Sequence, residues 1–223
     1  METERFVIFT GWWSEGTRAG ALPKIGPGDF VACADSGYTF CAEAGIQPDV
    51  VIGDFDSLSE NQVSGIDALG IERIVYPEEK DDTDTMLCAK YGVERGYGRF
   101  LIVGGIGGGF GHTMSNLQTL SYLNGMGRQG EIVVPGERIM MVSGDMTEPV
   151  CPLMIKGAAG EKFSVLSYTE RSTGVFIENA KYLLRDAVLT QSNPIGVSNE
   201  FINESPVTVS VRKGRLLVIV DRS

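Results

Sequence analysis

The first half of the chain alternates short apolar runs with stretches of helical periodicity. The apolar runs cover residues 6–9, 30–34, 50–52, 71–76 and 100–103, and most end in polar or glycine residues. Between the last two runs, Met86, Ala89 and Val93 recur at helical spacing. Such repetition of strand, helix and strand predicts a parallel sheet with right-handed crossovers. Ligands of these sheets bind outside the carboxyl ends of the strands.

The pattern changes near residue 137, after which no long helical stretch remains. Short β-rich segments follow one another at residues 139–142, 162–168, 187–190, 207–211 and 216–220. We therefore predict an α/β protein in which residues 1–137 form an N-terminal αβα domain with a mostly parallel sheet. Residues 138–223 are predicted to form a C-terminal all-β sandwich domain.

Charge and composition exclude several classes of protein. The net charge of -10, from 29 acidic and 19 basic residues, argues against nucleic acid as a partner, because phosphate backbones are bound mainly by clustered Lys and Arg. Apolar runs of strand length predict no membrane partner. The four cysteines form no CxxC pair, which predicts free thiols. With acidic residues before the first apolar run, no signal peptide is indicated, and we predict a cytoplasmic protein.

Three acidic clusters stand at predicted boundaries of strands and helices. They are Asp35 in ADSG, Asp54 and Asp56 in GDFDS, and Asp81, Asp82 and Asp84 in KDDTD. Carboxylates gathered from several loops suit Mg²⁺, which keeps part of its water shell and bridges to substrate phosphates. Asp35 alone is equally typical of an ordinary turn. Asp54 and Asp56 lie on either side of Phe55, so their two carboxylates can point in the same direction while the aromatic ring points inward.

The KDDTD cluster has two compatible interpretations. Thr83 or Asp82 can cap a helix, with nearby carboxylates stabilised by the positive helix end. The same helix end can present a carboxylate to a metal and backbone amides to phosphate oxygens. Lys80 fits this interpretation as a point charge for a phosphate, although an isolated surface lysine is more often simply solvated.

A glycine-rich loop follows the run at residues 100–103 and precedes a helix predicted from Thr113. Its sequence, GGIGGGFGH over residues 104–112, fits neither the P-loop pattern nor GxGxxG. Glycines nevertheless allow backbone amides to approach a phosphate or substrate closely. His112 could act as a general base, as a ligand or as a structural support of the loop. The late segment GVSNEF, taken alone, is typical of a turn.

Together these motifs resemble the thiamine pyrophosphokinase family in content, order and approximate spacing. The motifs are ADSG, PDVVIGDFDS, KDDTDTMLCA, the glycine loop ending in HTMSN, and GVSNEF, spread over about residues 30 to 220. The resemblance implies an αβα domain, a β-sandwich, ATP as co-substrate, Mg²⁺ as cofactor and thiamine as acceptor. It also implies a homodimer whose active sites are shared between subunits.

The resemblance assigns roles residue by residue. Metal ligands are expected at Asp54, Asp56 and Asp84, and catalytic carboxylates at Asp35, Asp54 and Asp81. Substrate binding is expected at Lys80, Ser36, Gly107, His112 and Asn116 in the first domain, and at Ser198 and Asn199, the expected thiamine pair, in the second. The resemblance does not identify which aspartate accepts the hydroxyl proton.

One departure from the family pattern concerns the glycine loop. The family generally has GGRxDH there, whereas this chain has Gly109 and Gly111 in place of the Arg and the Asp. We expect a working enzyme with a weaker hold on thiamine. The alternatives are a thiamine- and nucleotide-binding protein without turnover, and a related pyrophosphotransferase acting on another alcohol. Retention of the aspartates argues against a binding protein without turnover, and the presence of Ser198 and Asn199 argues against a different alcohol as acceptor.

Overall fold

The computed structural model describes residues 4–13, 22–145 and 151–221, which form two compact units, residues 1–135 and 136–223. The first unit contains strands β1 (Phe6–Phe9), β2 (Phe30–Ala34), β3 (Val50–Gly53), β4 (Glu72–Val75), β5 (Arg99–Val103) and β6 (Gln129–Val134). Its helices are α1 (Gly37–Glu43), α2 (Glu60–Ala68), α3 (Asp84–Glu94) and α4 (Phe110–Gly125).

The six strands of the first unit form a parallel sheet in the order β4-β3-β2-β1-β5-β6. Side chains alternate between its two faces, and both faces are buried along the central strands β3, β2, β1 and β5, whereas the edge strand β4 is mostly exposed. On one face, Val7 and Phe9 belong to a core cluster that also contains Tyr38 of α1 and Ile66 of α2. On the other face, Phe6 lies against α3. The predicted αβα arrangement is confirmed.

The second unit is antiparallel and contains no helix among its described residues. Its strands are β7 (Glu137–Asp145), β8 (Leu153–Ile155), β9 (Lys162–Ser167), β10 (Arg171–Glu178), β11 (Leu184–Thr190), β12 (Asn199–Glu200), β13 (Val207–Ser210) and β14 (Lys213–Asp221). Strands β12, β9, β14 and β7 pair in that order, and β11, β10, β13 and β8 form a second group. Both groups bury apolar side chains in one core, which confirms the predicted β-rich C-terminal part.

Two smaller predictions can be compared with the structure. All four cysteines are free, as predicted, with Cys33, Cys41 and Cys88 buried and Cys151 exposed. The helix predicted from Thr113 begins three residues earlier, at Phe110, because Gly111 is accommodated within its first turn, while Gly109 stays extended as the N-cap residue. In the described part of the chain, the helices are too short or too polar to span a bilayer.

Helix α3 approaches the sheet closely at Gly92. A Cβ at this position would lie 2.6 Å from the ring of Phe100 and 2.8 Å from the ring of Phe6. Both phenylalanines are buried, so neither ring has free space into which it could move. The absence of a side chain at Gly92 therefore sets the distance between α3 and the sheet.

We expect Gly92→Ala to lower the free energy of unfolding by about 1–3 kcal/mol, because overpacking outweighs the roughly 1 kcal/mol that alanine gains in a helix. Urea denaturation measures the difference. Gly98→Ala is the matched control: a Cβ there meets no heavy atom within 4 Å in the described part of the chain. Gly98→Ala should leave stability unchanged or slightly raised. A Gly92→Ala protein as stable as its parent would contradict this account of the packing.

Candidate active site

The order of strands in the parallel sheet reverses beside β1. From β1 the chain builds outward through β2, β3 and β4, and then returns to place β5 on the other side of β1. Connections leave the sheet in opposite directions at such a point, which opens a crevice at the carboxyl edge. A cleft of about 460 Å³ lies there. Its lining comes from the turn after β1, from most of the residues between 78 and 85, from the glycine loop and from the start of α4.

Three aspartates converge beside this cleft. Asp35 follows β2, while Asp54 and Asp56 follow β3, and one carboxylate oxygen of each lies within 4.8 Å of the other two. Phe55 has a positive φ of 65° and packs against the apolar core, so the carboxylates on either side of it turn toward Asp35. The backbone amide of Phe55 donates a hydrogen bond of 3.1 Å to Asp35 Oδ1.

The convergence depends on Gly53. A Cβ at this position would lie 2.8 Å from Asp35 Cβ, closer than side chains tolerate. Glycine therefore lets the ends of β2 and β3 approach until their aspartates form one cluster. In the sequence GDFDS, the glycine is as necessary to the cluster as the two carboxylates that follow it.

Lys80 connects this cluster to the cleft. Its Nζ donates a hydrogen bond of 2.5 Å to Asp54 Oδ2 and lies 3.2 Å from Asp84 Oδ1. The contact with Asp84 is an ion pair that lacks hydrogen-bond geometry. Asp84 Oδ1 is buried and has no hydrogen-bond partner among the described residues. Both Lys80 and Asp84 line the cleft. The lysine thus offsets part of the negative charge that the aspartates bring together.

The electrostatics of this group follow from the ion pairs. The hydrogen bond from Lys80 lowers the pKa of Asp54 below 3.8, its usual value. Burial lowers the pKa of Lys80, but the attraction of the Asp54 and Asp84 carboxylates outweighs burial and raises the pKa above its usual value of 10.5. The pair contributes stability above the ordinary pKa of Asp and below that of Lys, so it stays charged throughout the neutral range. Burial raises the pKa of Asp84, against the opposing effect of Lys80.

Two helices begin at the cleft. Thr83 caps α3, its hydroxyl accepting a 3.4 Å hydrogen bond from the amide of Met86. Helix α4 begins after Gly109, which makes no side-chain cap. The hydroxyl of Ser115 in α4 lies 3.4 Å from that of Thr83, which brings the two helix starts together. First-turn amides and helix dipoles make such ends favourable for anions.

The glycine loop is held to the start of α4 by side chains. Buried Asn116 donates a hydrogen bond of 2.8 Å from Nδ2 to the carbonyl of Gly105. The amide of Gly107 donates a 3.0 Å hydrogen bond to Thr113 Oγ1. His112 stands exposed in the first turn of α4 and lines the cleft. Asn116 therefore has a structural contact in addition to its predicted position beside substrate.

Two other predicted site residues of the first unit, Ser36 and Asp81, are not among the residues that line the cleft. Ser36 is the N-cap residue of α1, at the end of β2. Asp81 is exposed and stands outside the cleft lining, whereas Asp82 lies in it and pairs with Lys90 at 2.5 Å. The catalytic role assigned to Asp81 stays a prediction.

Ser198 and Asn199 lie in the second unit, where Asn199 begins β12. Asn199 Oδ1 accepts hydrogen bonds from the amides of Tyr182 and Glu200, and its Nδ2 donates one of 2.7 Å to the carbonyl of Tyr182. The asparagine is only 5% exposed, so its amide holds the backbone beside Tyr182 in place. Ser198 is exposed, with a positive φ of 60°. The thiamine contact predicted for this pair is not tested by these hydrogen bonds.

Several residues of the cleft did not emerge from the sequence patterns, Thr10 and Trp12 among them. Thr10 and Trp12 follow β1, the strand at which the sheet order reverses, and both line the cleft. The hydroxyl of Thr10 lies 3.2 Å from the carbonyl of Val103 and ties the turn to β5. The available signal was a pair of tryptophans in the turn that follows an apolar strand, where residues of a parallel sheet meet a ligand.

Comparison with known protein families identifies the family to which the chain belongs. Residues 26–133 match the family model of the thiamin pyrophosphokinase catalytic domain, and residues 153–216 match that of the thiamin pyrophosphokinase vitamin B1 binding domain. The chain belongs to the thiamin pyrophosphokinase family. The thiamine pyrophosphokinase of Bacillus subtilis is 27% identical to it over 186 residues, which cover 83% of this chain and 84% of the relative.

Solved structures of the thiamin pyrophosphokinase family have the same fold. The crystal structure from Bacillus subtilis superposes with a TM-score of 0.82 at 23% identity, covering 99% of this chain and 100% of that one. The structure from Geobacillus thermodenitrificans gives 0.79 at 24% identity, covering 99% and 98%. The thiamin pyrophosphokinase of Candida albicans gives 0.77 at 13% identity, covering 100% and 90%. The fold thus extends to relatives of low identity.

The aspartate cluster predicts a response to magnesium that can be measured without substrates. Mg²⁺ should raise the Tm of the parent protein, because binding to the folded state alone stabilises it. Asp54→Asn should remove most of this shift, since it takes one carboxylate from the cluster. Asp67→Asn is the control, because Asp67 is exposed on α2 and pairs with Arg73. An Asp54→Asn protein with the full shift would contradict metal binding at the cluster.

Proposed function

We propose that this protein transfers the pyrophosphoryl group of ATP to the primary hydroxyl of thiamine, giving thiamine diphosphate and AMP. The observation that carries the proposal is the convergence of Asp35, Asp54 and Asp56 beside Lys80, in a chain that matches both domains of the thiamin pyrophosphokinase family in order. The cleft adjoining these residues lies where α/β sheets bind their ligands.

The residues beside the cleft fit a magnesium ion. Its preferred ligands are oxygens, and the cluster offers carboxylates from Asp35, Asp54 and Asp56. The buried Asp84 Oδ1, which lacks a hydrogen-bond partner among the described residues, supports a place for Asp84 in the same group. Asp54, Asp56 and Asp84 would hold the ion, with Asp35 beside them. When bound, Mg²⁺ offsets charge on the phosphoryl oxygens.

The phosphates of ATP would lie between the starts of α3 and α4. Lys80, close to the start of α3, supplies a positive charge, and the first turns of both helices supply amides. Gly107 and His112 line the same part of the cleft, and Asn116 fixes the loop that precedes α4. These groups would orient the phosphates and shield their charge, which is the main contribution of a protein to phosphoryl transfer.

The transfer forms one bond and breaks one. The hydroxyl oxygen of thiamine attacks the β-phosphorus in line, the bond from the β-phosphorus to the oxygen bridging the α-phosphate breaks, and AMP leaves with that oxygen. The hydroxyl proton passes to a carboxylate. Asp35, Asp54 and Asp81 are the proposed catalytic carboxylates, and of these Asp35 and Asp54 belong to the cluster beside the cleft.

Thiamine would contact Ser198 and Asn199 of the second unit. We propose a homodimer in which this pair serves the active site of the other subunit, as the family resemblance implies. The exposed position of Ser198 leaves it accessible to such a ligand. Four free cysteines are in keeping with a reducing compartment, which supports the cytoplasm as the location.

The decisive experiment is incubation of the purified protein with ATP, Mg²⁺ and thiamine, followed by chromatographic separation of the products. We expect thiamine diphosphate and AMP in equal amounts, and neither product after addition of excess EDTA. Formation of ADP in place of AMP would indicate a different transfer. Binding of both substrates without products would identify a protein that binds thiamine and ATP without turnover.

The glycine loop allows a second test at the two glycines that depart from the family pattern, because Gly111 has open space for a side chain and Gly109 needs only a small shift of the exposed His112 side chain. Gly109 has an ordinary φ of -88°, and a Cβ there meets His112 at 3.3 Å; a Cβ on Gly111 meets no heavy atom within 4 Å among the described residues. Gly109→Arg with Gly111→Asp should raise kcat/KM for thiamine several-fold by restoring one cation and one carboxylate. The new carboxylate also suits the helix N-terminus.

The matched control is Gly109→Ala with Gly111→Ala, which removes the flexibility of the two glycines but adds no charge. An equal gain in both double variants would assign the effect to loop entropy. A folded Arg and Asp variant less active than the parent would show that this loop functions through its glycines, and the family's role for the position would not apply here. Circular dichroism verifies the fold of each variant.

A further inference from the structure

Trp12 lies flat against the glycine loop. A Cβ on Gly107 would lie 2.2 Å from Trp12 Cη2, and a Cβ on Gly108 would lie 2.4 Å from Trp12 Cδ1, so opposite ends of the indole cover successive glycines. Both glycines have positive φ, 106° and 66°, which turns their backbones toward the ring. The glycines at 107 and 108 are therefore the surface on which the indole rests.

The backbone of Trp12 is fixed to the same loop. Its carbonyl accepts a hydrogen bond of 2.9 Å from the amide of Gly105 and one of 3.3 Å from the hydroxyl of Thr10. A Cβ on Gly104 would lie 2.5 Å from this carbonyl oxygen, so close an approach requires glycine there as well. The turn after β1 and the loop after β5 are thus held together by the carbonyl and by the indole of Trp12, beside the crevice at which the strand order reverses.

Despite these contacts Trp12 is 36% exposed as a residue, and it belongs to the lining of the cleft together with Lys80 and Asp84. One part of the ring rests on the loop, and the remainder faces the space that substrate would enter. A planar, immobilised aromatic surface beside a phosphate site suits a flat heteroaromatic ring, since stacking adds to the area buried.

We propose that Trp12 forms one wall of the nucleotide site and stacks on the adenine base of ATP. The inference rests on the proposed use of this cleft for ATP. The base is the fitting occupant, because the phosphates extend from it toward Lys80 in the same cleft, whereas the residues expected to bind thiamine belong to the second unit. Trp12 is accordingly a binding residue that also positions the glycine loop.

The chain is well suited to a test because Trp12 and Trp13 are its only tryptophans. Trp13 stacks on Phe40, with ring centroids 4.4 Å apart, and packs against the apolar core. Trp13→Phe therefore leaves Trp12 as the single fluorophore, and Trp12→Phe leaves Trp13. The probe is an ATP analogue with a methylene bridge between the α- and β-phosphorus, which binds but cannot transfer its pyrophosphoryl group.

We expect the analogue to quench the fluorescence of Trp13→Phe and to leave that of Trp12→Phe unchanged. Trp12→Ala should weaken binding of the analogue by about tenfold in equilibrium dialysis, as loss of a base-stacking ring does elsewhere, and Trp12→Phe should weaken it less. In turnover, the KM for ATP should rise more than kcat falls. Thiamine alone should not quench Trp13→Phe.

The outcomes separate this inference from the proposed function. A parent protein that does not bind the analogue in dialysis would overturn the nucleotide site and the role of Trp12 with it. Normal binding by Trp12→Ala, with no quenching in Trp13→Phe, would overturn the role of Trp12 alone. Quenching by thiamine and not by the analogue would assign the indole to the other substrate. Retention of the parent Tm verifies that each variant is folded.

Discussion

Gly53 lies so close to Asp35 that no side chain fits between the ends of β2 and β3. The same constraint acts where the turns after β1 and β2 meet. A Cβ on Gly37 would lie 2.1 Å from the carbonyl oxygen of Phe9, and one on Gly11 would lie 2.2 Å from Ser36 Oγ. Turns that approach this closely bring polar groups from separate strands into one small volume, and the proposed chemistry depends on that proximity.

This close arrangement of carboxylates produces electrostatic repulsion. Gathering Asp35, Asp54 and Asp56 within one cluster sets like charges against each other, and only part of that repulsion is offset by Lys80. The lysine lies between Asp54 and Asp84, where its charge opposes both. A site with surplus negative charge and a buried carboxylate oxygen lacking a hydrogen bond is suited to a divalent cation. The proposed cofactor thus follows from the electrostatics as well as from the family.

The glycines of the loop after β5 fall into two groups, which differ in whether the structure requires glycine at the position. Gly104, Gly107 and Gly108 are required by the backbone and ring of Trp12, whereas Gly109 and Gly111 lack a positive φ, and the one tight contact of a Cβ there is with the His112 side chain, 3.3 Å from Gly109. The second group is the one that replaces the Arg and Asp typical of the family. The loop positions that contact Trp12 are therefore constrained to glycine, whereas Gly109 and Gly111, at the start of α4, have ordinary backbone angles.

The sequence by itself determined the class of the fold and the chemistry of its motifs. Apolar runs of strand length separated by helical periodicity predicted the parallel sheet, because both faces of such strands are buried. The change of pattern near residue 137 predicted an antiparallel part. The acidic motifs at predicted strand ends indicated the edge where a ligand would bind, since that edge is common to all strands of a parallel sheet.

The tertiary structure decided which residues meet. It joined Asp35 to Asp54 and Asp56, left Asp81 exposed, and engaged the side chain of Asn199 in holding Tyr182. It also placed Trp12 on the glycine loop, although more than 90 residues of chain separate them. Such contacts depend on strand order and on backbone distances of a few ångströms. Local sequence patterns carry neither, because they report only the period and polarity of neighbouring residues.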